Sequence, residues 1–175
     1  TSERDQGALS AEIDVAINFG DGRFKNAEAQ LMFREEVFPV CSPQLLKGCT
    51  LPLPPAALAS LPLLHLRPEN RSRWFDWAGL FRALGLQQTP SPGSLRFDNY
   101  TLLIQAAIAG QGVAIGWRHL VDELLTQNLL CRVGDEVAHS DMGYYLVLPE
   151  RKRRQRLTQV FVDWLQVELA KGPGV

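Results

Sequence analysis

Long apolar runs are missing from this 175-residue sequence. The longest stretches, such as LASLPLLHL at 58–66, are interrupted by proline and fall well short of the ~20 residues a membrane helix needs. A membrane span is therefore not expected. Disorder is not expected either, because 46% of the residues are hydrophobic and 21% charged, close to ordinary globular usage. Charge of one sign is also lacking. The formal net charge is -1, so this piece is not expected to present a basic nucleic-acid surface. The single basic run, ERKRRQR at 150–156, reads as a solvated helix start, with a phosphate patch as the other reading. Cysteines number three, Cys41, Cys49 and Cys131, and none forms a C-x-x-C pair. Reduced thiols in a cytoplasmic protein fit that usage.

Catalytic and metal-binding signatures are absent too. The histidines, His65, His119 and His139, are scattered, without H-x-x-x-H or H-E-x-x-H spacing, so no metal site is supported. There is no G-x-S-x-G elbow. Asp122 and Glu123 are adjacent, and neighbours on a helix do not face each other. An enzyme and a bound cofactor are therefore not expected. There is no targeting segment and no initiator Met, and the chain opens in the polar stretch TSERDQ. It is expected to be a fragment of a longer protein.

What is present is an alternation of helix-like and strand-like segments. DQGALSAE at 5–12 reads as a helix leading into the strand IDVAINFG, and GDGRF at 20–24 as a turn. AQLMFREEVFPVCSP reads as two strands, the first alternating and the second continuously apolar. SPQLLKG has Ser42, Pro43 and Gly48 where a short helix wants its N-cap, first residue and stop. After a helical turn at PAALAS come the strand LLHLR and the amphipathic helix RSRWFDWAGLFRALGL. QQTPSPG reads as a loop. SLRF, GVAIG, LLCRV and GYYLVLPE read as further strands. DNYTLLIQAAIAG, RHLVDELLTQ and RLTQVFVDWLQVELA read as helices. The alternation predicts an α/β fold with mostly parallel sheets.

The glycines Gly110, Gly112 and Gly116 suggest a phosphate loop, but their order is inverted. A nucleotide fingerprint runs strand, glycines, helix, so that the phosphate meets a helix N-terminus. Here helix precedes glycines and strand follows. Gly110 is read as the helix stop, Gly112 as the turn and Gly116 as the strand end. The other end of that helix is the better candidate, since strand SLRF feeds directly into DNYT. Its free backbone N–H groups attract ligands, while the competing reading has Asp98 or Asn99 only capping the helix. The aromatics Trp74, Phe75, Trp77, Tyr100 and Trp117 suggest a cation–π box. For Trp77 and Phe81 the helical spacing favours core packing; Trp74 and Tyr100 lie near the start of their elements and stay open.

Several segments together resemble a known family: EIDVAINFGDGRF, EEVFPVCSPQLL, LLHLR followed by RWFDWAGLFRALG, FDNYTLLIQAAIAGQGVAIGW, and GYYLVLPE ahead of the VFVDWLQVEL helix. They are similar to the effector-binding, substrate-binding-like domain of LysR-type transcriptional regulators. The branch resembled contains the glycine-cleavage activator and the β-lactamase regulator. The resemblance implies two Rossmann-like lobes joined by two hinge crossings, the type 2 periplasmic-binding-protein architecture. Lobe I is expected at 1–66 and 147–175 and lobe II at 67–146, with crossings near Leu64–Pro68 and Gly143–Pro149. The first strand and helix of lobe I are expected to be missing.

The implied function is effector sensing, with a small anionic or zwitterionic metabolite held in the interlobe cleft. The implied partners are that effector, a homodimer or higher homo-oligomer, and DNA only through an N-terminal domain outside this sequence. The implied effector contacts are Thr1 and Ser2; Asn18, Phe19, Gly20 and Asp21; His65 and Arg67; Trp74; Asp98, Asn99, Tyr100 and Thr101; and Tyr144 or its neighbour Tyr145. Arg67 suits a carboxylate, sulfate or phosphate by bidentate donation, or a hinge salt bridge to Asp98 or Glu69. His65, in an apolar strand, is alternatively a satisfied core residue. The rival reading of the whole chain is a periplasmic solute-binding protein of a transport system.

Overall fold

The computed structural model describes residues 13–67, 74–87, 95–152 and 155–170; Thr1, Ser2, the helix expected at 5–12 and all but the first residue of the loop expected at 87–93 lie outside them. The strands are β1 (Ala16–Gly20), β2 (Ala27–Cys41), β3 (Leu64–Leu66), β4 (Leu95–Phe97), β5 (Ala114–Trp117), β6 (Cys131–Arg132) and β7 (Ala138–Pro149). The α-helices are α1 (Trp77–Ala83), α2 (Tyr100–Ile108), α3 (Asp122–Thr126) and α4 (Arg156–Ala170). Short 3₁₀ turns occupy Pro43–Leu46 and Pro55–Ser60.

Side-chain caps set where these elements begin. Ser42 Oγ accepts the Gln44 N–H, and Pro43 opens the turn as expected. Asp76 Oδ1 accepts the Gly79 N–H at 2.6 Å and starts α1. Asn99 Oδ1 accepts the Leu102 N–H at 3.1 Å, so Asn99 rather than Asp98 caps α2. Gly110, at φ +75, ends that helix in the left-handed conformation. Gly112 is needed for closeness: a Cβ there would stand 2.6 Å from the Pro62 carbonyl oxygen. Gly116 lies inside β5 rather than at its end, packed against the Val40 side chain.

By backbone packing the chain divides into two compact units. Unit 1 takes residues 1–35 and 140–175. In it β1 pairs antiparallel with β7, Ala16 opposite Val147 and Gly20 opposite Gly143. Its core is small: Leu146, Leu148 and Val162 are buried, with Val15, Met32 and Leu165 packed against them. Unit 2 takes residues 36–139. The end of β2 pairs antiparallel with β5, Val37 opposite Trp117, and with β6, Val40 opposite Arg132. β3 runs parallel to β4, and Leu63 bridges Val113 in parallel. Two apolar clusters fill this unit, one around Leu80, Phe81 and Trp77, the other around Phe38, Leu103 and Ala107.

Two sequence expectations change, and a third stands beside a different division of the chain. Among the described residues, β3–β4 and the Leu63–Val113 bridge are parallel, while β1–β7, β2–β5 and β2–β6 are antiparallel. The alternation of helix and strand suggested crossovers, yet these antiparallel neighbours are far apart in the chain and no single helix links them. Second, the two strands expected between 29 and 41 are one 15-residue strand. Its burial alternates at first and is continuous from Val37 onward, so the pattern change marks a new environment rather than a break.

Third, the chain leaves unit 1 between Glu35 and Glu36 and returns between His139 and Ser140. The expected crossing at Leu64–Pro68 and lobe edges at 66/67 and 146/147 differ from this division. β3 is held within unit 2 by β4 and by the Trp77 indole N–H, which donates to the Leu64 carbonyl at 2.8 Å. Residues 147–149 continue β7, whose pairing with β1 already starts at Gly143 inside unit 1. Glu35 is buried, and Ser140, the first residue after the return, donates its Oγ–H to the Glu35 carboxylate at 2.5 Å. That bond satisfies a charge that burial alone would penalise.

Candidate functional site

In unit 2 the carboxyl ends of β3 and β5 meet the start of α1 and the first turn of α2. A pocket of about 30 Å³ opens there, lined by Leu64, His65, Leu66, Phe75, Asp76, Trp77, Leu103, Ile115 and Trp117. Its walls are pre-set by contacts that do not need a ligand. The Trp77 N–H is tied to Leu64. The Trp117 ring meets Trp74 at 5.7 Å and, edge-on, Tyr100 at 5.2 Å. The Tyr100 hydroxyl accepts the Trp117 backbone N–H and lies 3.4 Å from the Ile115 carbonyl, to which it donates. The result is a small aromatic-walled hollow, about the volume of one water molecule, with His65 and Asp76 as the titratable residues of its lining. Strand ends facing helix starts are where ligands gather in open α/β sheets.

The expected site residues fall into two groups. In unit 1, Asn18, Phe19 and Gly20 lie on β1, and Phe19 stands opposite Tyr144, its ring 5.2 Å away. Asn18 stands opposite Tyr145. Asp21 follows directly and accepts the Arg23 N–H. In unit 2, His65 lines the pocket and Trp74 packs behind Trp117. Arg67 is exposed, with its backbone N–H donated to Phe97. Asp98, Asn99 and Thr101 are exposed around the start of α2, and Tyr100 is turned onto β5 by its hydroxyl. Trp77 and Phe81 are core residues, as their spacing indicated.

Asp76 is the charged pocket residue that the sequence reading missed, along with the aliphatic Leu64, Leu66, Leu103 and Ile115. Its signal was a lone acidic residue immediately before an apolar helical run, but capping already accounts for that pattern. Trp117 was noticed as an aromatic; nothing in its local sequence placed it beside Trp74 and Tyr100. Among the described residues no cluster of three His, Cys, Asp or Glu side chains is placed to hold a metal ion.

Fold and site together define a two-unit α/β ligand-binding module. The family model for the LysR substrate binding domain matches residues 1–170, and the chain belongs to that family, which has the type 2 periplasmic-binding-protein fold. It is 31% identical over 169 residues to the glycine cleavage system transcriptional activator of Escherichia coli, covering 96% of this chain and 53% of that protein. It is 30% identical to the regulator DsdC of the same organism, over 91% of this chain and 51% of the relative. The chain thus spans about half the length of the curated relatives it matches. These relatives are transcriptional regulators, not enzymes. Among solved structures, the effector domain of AmpR from Pseudomonas aeruginosa superposes with a TM-score of 0.72 at 25% identity, over 90% of this chain and 73% of that one. The AmpR effector binding domain from Citrobacter freundii gives 0.73 at 23% identity, over 95% and 81%, a likeness of fold. No helix among the described residues is long and apolar enough to cross a membrane.

Proposed function

We propose that this chain is the effector-sensing part of a LysR-type bacterial transcriptional regulator acting in the cytoplasm. It binds a small anionic or zwitterionic metabolite and biases the DNA-binding state of the longer polypeptide, which acts as a homodimer or higher homo-oligomer. DNA contact belongs to parts of that polypeptide outside this sequence. The observation that carries this reading is the match of residues 1–170 to the LysR substrate binding domain, and the hollow at the carboxyl ends of β3 and β5 is the proposed point of effector contact. An effector acts there only through a difference in affinity between two states. His65 and Asp76 supply the polar recognition. The N-terminal turn of α2 and Arg67 supply the positive potential that a carboxylate seeks.

Thermal-shift screening with amino acids and small carboxylates, followed by calorimetry, tests the reading. For a ligand so found, His65→Ala is expected to weaken binding at least about tenfold, a change of about 1.4 kcal/mol. Arg67→Ala and Asn99→Ala are expected to weaken it less, and Arg156→Ala on α4 not at all. Unchanged affinity in the first three variants removes the site assignment. Turnover of the ligand removes the non-enzymatic reading.

A further inference from the structure

Cys41 is the last residue of β2 and Cys131 the first of β6, and they stand directly opposite each other in the antiparallel pair. Opposed residues in such a ladder carry their side chains on one face, with Cα atoms about 4.5–5.5 Å apart. That spacing lies inside the ~4.4–6.8 Å that a disulfide spans. Both side chains pack in the same apolar cluster of unit 2, Cys41 buried within it and Cys131 partly buried against it. The third thiol, Cys49, is exposed and lies outside the β2–β6 pair. With no third ligand grouped beside them among the described residues, two facing thiols have one obvious covalent chemistry.

We propose that Cys41 and Cys131 form a modification site, a dithiol that a hydroperoxide converts into an intramolecular disulfide. Cys131, the less buried of the two, loses its proton, and the thiolate attacks one peroxide oxygen. The O–O bond breaks, the departing oxygen leaves as water, and Cys131 becomes a sulfenic acid. The Cys41 sulfur then attacks Cys131, an S–S bond forms, and the sulfenic oxygen leaves as a second water. Two thiols surrender two electrons and two protons to one hydrogen peroxide, giving one disulfide and two waters. Burial raises both thiols above the ordinary value of 9.0, Cys41 to about 12, with the neighbouring Cys131 adding to the shift at Cys41. The thiolate is therefore scarce at neutral pH, and the reaction quickens as pH rises. Positions 41 and 131 enclose most of unit 2, residues 36–139. Joining them restricts the unfolded chain and stabilises that unit.

The test uses the whole 175-residue chain. It is treated with hydrogen peroxide at pH 7 and pH 9, its peptides are mapped by mass spectrometry without reduction, and its melting temperature is recorded with and without dithiothreitol. The expected result is a peptide pair joined through Cys41 and Cys131, formed faster at pH 9. It should bring a dithiothreitol-reversible rise in Tm of about 5–10 °C. Cys49→Ser retains the link, and Cys131→Ser abolishes both the link and the rise. Because Cys131→Ser can alter the fold, an oxidant-free measurement accompanies it: phenylarsine oxide, which bridges two adjacent thiols, is expected to add once to Cys49→Ser protein through Cys41 and Cys131. Links through Cys49 alone, oxidation of Cys131 to sulfinic or sulfonic acid without cross-linking, or failure of the arsenical to bridge the pair each overturn the proposal.

Discussion

On α1 in unit 2, Trp77, Leu80 and Phe81 are all at most 3% exposed, whereas on α4 in unit 1 Leu157, Val160, Phe161, Trp164 and Val167 are 41–84% exposed. Both helices carry apolar residues at three- and four-residue spacings, the pattern that marks an amphipathic helix. On α4 that pattern is wider than one face. Thr158, Val162 and Leu165 turn toward the Leu146–Leu148 core, and the exposed set lies alongside them. The difference teaches that periodicity locates an apolar stripe without saying what covers it. Unit 2 closes the α1 stripe within its own core; unit 1 leaves much of the α4 stripe in the open.

Substitutions can break or sharpen that contrast. Phe81→Ala empties a fully buried ring site and is expected to destabilise the protein by about 3–5 kcal/mol in denaturant titration. A loss no larger than that of an α4 surface variant would erase the contrast. Gly112→Ala drives a methyl group against the Pro62 carbonyl; the expected loss is about 1–3 kcal/mol, read as a lower melting temperature. Asn99→Ala removes the α2 cap at the rim of the pocket, with an expected loss of about 1 kcal/mol in the same titration. Leu157→Ser, at the most exposed apolar position of α4, should stay within about 0.5 kcal/mol. If it destabilises by more, α4 is covered in solution and unit 1 is better packed than its exposure indicates.

Much of the fold was legible because its signals are local. Ser42 and Pro43 marked the start of a turn, and Gly110 marked the end of α2. Each depends on backbone groups within a few residues. The pocket was legible only in part. His65 was named through the family resemblance, which placed it at the first hinge. Asp76 was hidden behind its capping role, and the hydrogen bonds of the Tyr100 hydroxyl to β5 had no local signal. The division by backbone packing falls within β2, away from the expected first crossing, for a similar reason. The shift from alternating to continuous burial in β2 is written in the sequence, but a strand passing between two units and a strand that ends read alike until the packing is known.

By itself, then, the sequence determined the elements, their caps, the apolar faces and the family resemblance, all of which depend on neighbours along the chain. Tertiary structure alone decided which strands pair and in which direction, which side of α4 is covered, and which side chains line the pocket. It also brought Cys41 to face Cys131. Those outcomes depend on contacts between residues tens of positions apart, whose closure entropy is repaid only when the whole unit packs.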